Sequence, residues 1–209
     1  MTVDRSEILA ALREATATRH AELDSGMPLA RPLPTLQDYR AHLTLLWRWL
    51  EPIEAWQARF TDGPQDAALL APSPHLPQIE ADLADPALAQ GEDPAAAAPW
   101  HGHDSAAYRW GVSYVIEGSR LGGTVLYRRL ADRLAPHPLR YLSGGGVPPG
   151  PRWQLFLRTL RAQVRGEAAI AEACQGARDA FDSLIALQRA HAARVTNAAG
   201  VAARSRAAA

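Results

Sequence analysis

The chain has 209 residues, and 47% of them are hydrophobic, which predicts one globular domain with a core of substantial size. All 22 basic residues are arginines and they balance 22 acidic residues, so neither nucleic acid nor an anionic membrane is an expected partner. The single Cys174 excludes an intramolecular disulfide, and no apolar run approaches the roughly 18 residues that span a bilayer. The start of the sequence lacks signal-peptide character, so we expect a cytoplasmic protein.

Helical spacing of apolar residues runs through nearly the whole chain. The predicted helices are, in order, about 6–24, 35–56, 77–83, 105–134, 152–174 and 176–194. Asp4 or Ser6 can cap the first helix, Thr35 with Asp38 resembles a capping box, and Ser105 is a suitable N-cap. Segments 61–75, 91–101 and 136–151 are rich in proline, glycine or both and are predicted loops. The pattern indicates an all-α, single-domain bundle of six to eight helices over 1–195, followed by a flexible tail at 196–209.

The fourth predicted helix carries a cluster of small residues. Gly118 and Gly122 are four residues apart and therefore on one face, with Ser119 and Gly123 beside them. Each glycine inside a helix costs about 1 kcal/mol relative to alanine. The stripe therefore predicts a close neighbour, which is either another helix packed tightly on small residues or a planar cofactor lying on bare backbone. The spacing alone leaves both alternatives open.

A histidine and a carboxylate occupy one face of the first predicted helix. Asp24 lies one turn after His20, and a neutral imidazole can bind a metal through one nitrogen while the other donates to such a carboxylate. The same spacing also occurs in ordinary exposed pairs. Arg13, two turns before His20 on about the same face, is either solvated or placed to hold the anionic edge of a ligand.

These residues together resemble the haem oxygenases. The segment 12–16 (LREAT) followed by His20, and the segment 117–123 (EGSRLGG) about 100 residues later, match this family in the family's order. The likeness extends over about 7–190 and is marked for bacterial members, including those associated with bacteriophytochromes. It implies an all-α bundle, in agreement with the helical pattern.

The resemblance implies particular roles on the proximal side of a haem. His20 would be the axial ligand of the iron, and Asp24 would hold the second imidazole nitrogen, directly or through water. Arg13, and as a second candidate Arg158, would contact the haem propionates. Tyr114 is expected to line the pocket or to belong to the core.

On the distal side, the resemblance explains the glycines. Gly118 and Gly122, with Gly123 beside them, would let the helix backbone lie against the haem face, where a side chain would block oxygen. Ser119 stands where mammalian-type members have an aspartate that organises the distal water network. Several bacterial members of the family also have serine at this position. Ordered water held by backbone carbonyls is then the expected route for protons.

The implied activity is the oxidative opening of haem to biliverdin, iron and carbon monoxide. The partners implied are haem as substrate and cofactor, molecular oxygen, and an electron donor such as ferredoxin, flavodoxin or a reductase, with a bacteriophytochrome as one candidate recipient of biliverdin. A haem carrier or sensor on the same scaffold is the first alternative. A non-haem enzyme of the same broad fold, thiamin-degrading or quinone-dependent, is the second.

Overall fold

Helices form most of the backbone in residues 7–88, 98–146 and 148–207, which a computed structural model describes. The α-helices in these ranges are α1 (Glu7–Gly26), α2 (Leu36–Gln57), α3 (Leu76–Leu83), α4 (Ala106–Leu130), α5 (Arg140–Ser143), α6 (Pro149–Gln163) and α7 (Glu167–Ala207). The same ranges contain no strand, so the predicted all-α fold of six to eight helices is confirmed. None of the described helices combines the length and apolarity that a membrane crossing needs.

The predicted helix starts at Thr35 and Ser105 are confirmed by their hydrogen bonds. The Thr35 hydroxyl accepts from the Asp38 backbone N–H at 3.3 Å, while the Thr35 N–H donates to the Asp38 carboxylate at 2.9 Å. The Ser105 hydroxyl accepts from the Tyr108 N–H at 3.2 Å, which fixes the start of α4. Each bond satisfies a backbone donor that has no partner within its helix. The expected caps of α1, Asp4 and Ser6, lie outside the described residues.

The core forms around α7, on which α1, α2 and α4 pack. The indole N–H of Trp49 in α2 donates to the carbonyl of Ala180 at 3.0 Å, and Leu12 of α1 is fully buried. Where α4 crosses α7, a Cβ on Gly111 would overlap the carbonyl oxygen of Ala173. A Cβ on Gly176 of α7 would likewise overlap the carbonyl oxygen of Tyr108 in α4. These two glycines, which the sequence analysis did not single out, let the two backbones approach.

Several predicted boundaries are wrong. The break between the last two helices falls at 164–166, where Gly166 has a φ of +81° that suits glycine, and α7 runs uninterrupted through Gly176. Helix α4 ends at Leu130 rather than near residue 134, and the expected loop 136–151 contains α5 and the start of α6. The loop expected at 91–101 lies mostly outside the described residues. The backbone of α7 is helical through Ala207, and the division into a domain and a tail at residue 195 stays a prediction.

Candidate functional site

His20 and Asp24 form an exposed pair in the last two turns of α1. The Nδ1 atom of His20 lies 2.9 Å from Oδ2 of Asp24, and the side chains are 64% and 69% exposed. The imidazole also contacts the ring of Phe181 on α7, with 5.8 Å between ring centroids. An Nδ1–H group that donates to Asp24 fixes the tautomer, and it leaves the Nε2 lone pair available to a metal.

Gly118 and Gly122 form a bare face on α4 that no described element covers. A Cβ added at Gly122 would meet no described atom within 4 Å, and one at Gly118 would meet only the ring of Trp153, at 3.8 Å. Gly123 points elsewhere, since it is buried with Leu142 at ordinary contact distance. Tight packing against another described helix is therefore wrong as the explanation of these two glycines, because Gly122 borders open space and a Cβ at Gly118 would make only an ordinary contact.

Two apolar side chains that the sequence analysis missed flank this bare face. Val125 is 65% exposed and lies seven residues after Gly118, so it continues the same stripe of α4. Trp153 of α6 stacks on Phe156 at 5.6 Å and also contacts the ring of Tyr114 at 5.6 Å. Helical periodicity was enough to find Val125. Trp153 lies on another helix, and only the tertiary fold places it here.

Arg13 of α1 and Tyr114 of α4 are in contact. Burial raises the pKa of the Tyr114 hydroxyl, and the nearby Arg13 guanidinium opposes that rise through its charge and a hydrogen bond. His20 lies two turns after Arg13 on α1, and Gly118 lies one turn after Tyr114 on α4. The Arg13–Tyr114 contact thus links the helix that carries His20 to the helix that carries the bare face. Arg158 is exposed on α6, and its role stays a prediction.

A hydrogen-bonded pair lies behind the distal segment of α4. The buried hydroxyl of Tyr141 interacts with the side chain of Ser119, whose own hydroxyl donates to the carbonyl of Ile116 at 2.7 Å. Burial raises the pKa of Tyr141 to about 12, so the phenol keeps its proton at neutral pH. Ser119, at the position expected to organise distal water, therefore has a neighbouring hydroxyl group on α5 that residue spacing did not predict.

His75 stands next to this pair without a polar partner of its own. Its ring lies 6.2 Å from that of Tyr141, and neither ring nitrogen has a hydrogen-bond partner among the described atoms. Burial, with the charges of Arg120 and Arg152, lowers the pKa of His75 to about 3, so the imidazole is neutral at pH 7. Buried polar groups of this kind are normally satisfied by ordered water.

A cavity with both polar and apolar lining residues borders His75. Its volume is about 360 Å³, and Glu54, Gln57 and Ser113 are among its lining residues. Glu117 also lines it, but its carboxylate is occupied by Arg152, whose Nε donates at 2.8 Å. Arg120 donates to the hydroxyl of Ser73 at 2.6 Å. The site is therefore large and polar enough for water.

A search of protein families matches the heme oxygenase family model to residues 6–190 of this chain. The chain belongs to the haem oxygenase family. It is also 37% identical, over 108 residues, to a heme oxygenase of Xanthomonas campestris pv. campestris (strain 8004). That match covers 51% of this chain and 62% of the relative, so the chain spans less than two thirds of that protein's length.

The residues present suit the planar iron porphyrin that a haem oxygenase binds. His20 has an uncommitted nitrogen and a fixed ring, and the Gly122 face is open where a flat ligand needs space. Val125 is an exposed apolar side chain on that same face, as expected where an apolar macrocycle is to be covered. Arg13 is a basic residue that interacts with Tyr114 of α4, and a guanidinium group suits the propionates of haem.

Proposed function

We propose that this protein is a haem oxygenase that converts haem, oxygen and electrons into biliverdin, iron and carbon monoxide. Family membership supports this proposal, and one observation carries it: Gly122 exposes bare backbone of an intact helix to open space. The two helical glycines together cost about 2 kcal/mol in helix propensity. Since no described helix uses that bare face, a ligand that needs close approach to the backbone is its best explanation.

On the proximal side, we propose that Nε2 of His20 binds the haem iron. Asp24, 2.9 Å from Nδ1, keeps the Nδ1–H tautomer and increases the basicity of the ligating nitrogen. Phe181 limits rotation of the imidazole from the α7 side. When bound, haem supplies both the iron that activates oxygen and the ring that is opened, and the protein supplies position and electrostatics.

On the distal side, Gly118 and Gly122 would leave room for oxygen next to the helix backbone when haem is bound. Val125 and Trp153 would provide apolar surface beside that space. Arg13 and the Tyr114 hydroxyl are placed to hold the propionates, and so to set the rotation of the macrocycle in its plane.

We propose that protons reach the site through the hydroxyl groups of Tyr141 on α5 and Ser119 on α4 rather than through a carboxylate. In this relay the Ser119 hydroxyl would turn from the Ile116 carbonyl and pass its own proton toward the open face, while Tyr141 Oη passes a proton to Ser119 Oγ. Water beside the neutral His75 would then return a proton to Tyr141. Ser119 lies three residues from Gly122, so the two positions are neighbours on the surface of α4. Hydroxyl groups that pass protons in this way undergo no net change of charge.

We further propose a cytoplasmic location and a protein electron donor, namely a ferredoxin, a flavodoxin or a reductase. Family membership supports the need for a donor, and the single free Cys174 suits a reducing compartment. For the product, we propose that a bacteriophytochrome receives the biliverdin.

The proposal is tested by an absorption time course on the hemin-loaded protein, with ferredoxin, ferredoxin reductase, NADPH and catalase in air. Loss of the Soret band with growth of a broad red band, and extraction of biliverdin, is the expected result. A saturable haem spectrum that persists under the same reductant would instead identify a haem carrier or sensor. Absence of any saturable spectrum would contradict the haem site itself.

A further inference from the structure

Asp82 of α3 is a fully buried carboxylate whose hydrogen-bond donors come from two other helices. Its Oδ2 atom accepts from the hydroxyl of Tyr39 in α2 at 2.6 Å and from the backbone N–H of Tyr141 in α5 at 2.9 Å. Its Oδ1 atom accepts from the guanidinium of Arg140 at 3.1 Å. A buried charge is tolerated where donors of this kind surround it. The carboxylate therefore joins α2, α3 and α5 at one point.

Helix α5 depends on such a partner, because it is only one turn long. Leu139, which precedes it, has a φ of +48°, a left-handed conformation that is unfavourable for a residue with a large side chain. No side chain of the segment itself caps the turn. A helix of this length is not stable on its own in water. The bond from the Tyr141 N–H to Asp82 supplies the missing acceptor from α3.

The residue that Asp82 holds by its backbone is also the residue whose hydroxyl lies behind the distal segment. The Tyr141 hydroxyl interacts with the side chain of Ser119. Only two side-chain torsions separate this hydroxyl from the Tyr141 backbone, and each has few favoured angles. The position of the Tyr141 N–H therefore restricts where the hydroxyl can lie.

We propose that Asp82 is a positioning residue for ring opening, which keeps the Tyr141 hydroxyl within reach of Ser119 by holding the Tyr141 N–H. This inference rests on the proposed function, because it concerns the hydroxyl relay proposed there. The described hydrogen bonds of Asp82 are to Tyr39, Arg140 and Tyr141, and none is to Ser119. Asp82 thus acts through Tyr141.

The first test is hydrogen–deuterium exchange of the haem-free full chain, followed by mass spectrometry of peptides that contain 139–143. Asp82→Asn keeps the size of the side chain and removes its charge. It is expected to speed exchange in this segment at least about tenfold, as for loss of a hydrogen bond to a charged group. Tyr39→Phe removes another donor to the same oxygen and makes this test, with a smaller effect, if Asp82→Asn does not fold.

The matched control is Asp85→Asn. Asp85 accepts from the same Arg140 guanidinium at 3.2 Å, but none of its described hydrogen bonds is to Tyr141. Exchange in 139–143 is expected to stay at the rate of the unmodified protein in this variant. Equal acceleration in both variants would overturn the proposal, because the Arg140 bond rather than the Tyr141 bond would then hold α5. Unchanged exchange in Asp82→Asn would overturn it as well.

The second test compares single-turnover ring opening in hemin complexes of Asp82→Asn, Tyr141→Phe and the double variant. Asp82→Asn is expected to slow ring opening with unchanged hemin affinity. The double variant is expected to be no slower than Tyr141→Phe, because Asp82 acts through the hydroxyl that this variant lacks. A residue that only stabilised the fold would slow ring opening by the same factor with and without that hydroxyl, and this result would overturn the proposal.

The unmodified protein, measured in parallel, separates this inference from the proposed function. Absence of ring opening in the unmodified protein would contradict the proposed function, and the role of Asp82 with it. Ring opening in the unmodified protein at the same rate as in Asp82→Asn would contradict the role of Asp82 alone.

Discussion

Replacement of Gly122 by alanine tests whether this face of α4 binds a ligand or packs against another helix. A Cβ at this position meets no described atom within 4 Å, so the substitution is free of steric cost. Alanine is favoured over glycine inside a helix by about 0.8–1 kcal/mol. We therefore expect the haem-free Gly122→Ala protein to gain about 0.5–1 kcal/mol in free energy of unfolding, or about 1–4 °C in Tm. Haem turnover is expected to fall in the same variant, since the new methyl group occupies the ligand's space.

Gly111→Ala is the matched control for this substitution, because Gly111 is a glycine in the same helix. A Cβ there would overlap the Ala173 carbonyl, and overpacking of this kind costs about 1–3 kcal/mol. Urea denaturation of the haem-free proteins, followed by far-UV circular dichroism, measures both effects. Loss of stability in Gly122→Ala comparable to that in Gly111→Ala would refute the reasoning, because it would mean that the Gly122 face is packed.

Two other predictions concern side chains of the site, and a third concerns a buried histidine of α2. Tyr141→Phe is expected to slow ring opening at least about tenfold with unchanged hemin affinity, as measured by single-turnover absorbance and hemin titration; equal rates would remove Tyr141 from the proton route. Arg13→Glu is expected to weaken hemin binding about tenfold or to change the biliverdin isomers separated by chromatography, and no change in either would remove its propionate role. Burial lowers the pKa of His42 to about 4, so the unfolded chain alone takes up this proton below pH 6.5 and stability is lost as pH falls toward 4, at up to about 1.4 kcal/mol per pH unit. Urea denaturation at pH 7, 6 and 5 should show a smaller loss for His42→Leu, and an identical slope would contradict this assignment.

The fold class and the helix starts could be predicted from local sequence because their causes are local. Thr35 and Ser105 cap their helices through neighbours three residues away, and apolar periodicity marks the buried face of each helix. Local sequence could not distinguish Gly166, where the chain breaks between α6 and α7, from Gly176, where α7 crosses α4 closely. A glycine that ends a helix and a glycine that admits another backbone look the same in one sequence, and only the partner helix distinguishes them.

The candidate site was predictable to a similar extent. His20, Asp24 and the glycine stripe are each set by spacing within one helix, and the structure gives the His20–Asp24 distance and the open glycine face directly. Trp153 and Tyr141 come from other helices and follow no local pattern. Their placement depends on how α5 and α6 pack on α4, which the order of residues along a single helix does not determine.

Axial ligation by His20 is the central claim, and the spectrum of the hemin complex of His20→Ala tests it most directly. Hemin is titrated into this variant and into the unmodified protein, each with and without added imidazole. We predict that His20→Ala loses the histidine-ligated Soret spectrum and that imidazole restores it, as free imidazole replaces the missing ring. An unchanged spectrum in His20→Ala without imidazole would contradict the account, because the iron would then have another ligand.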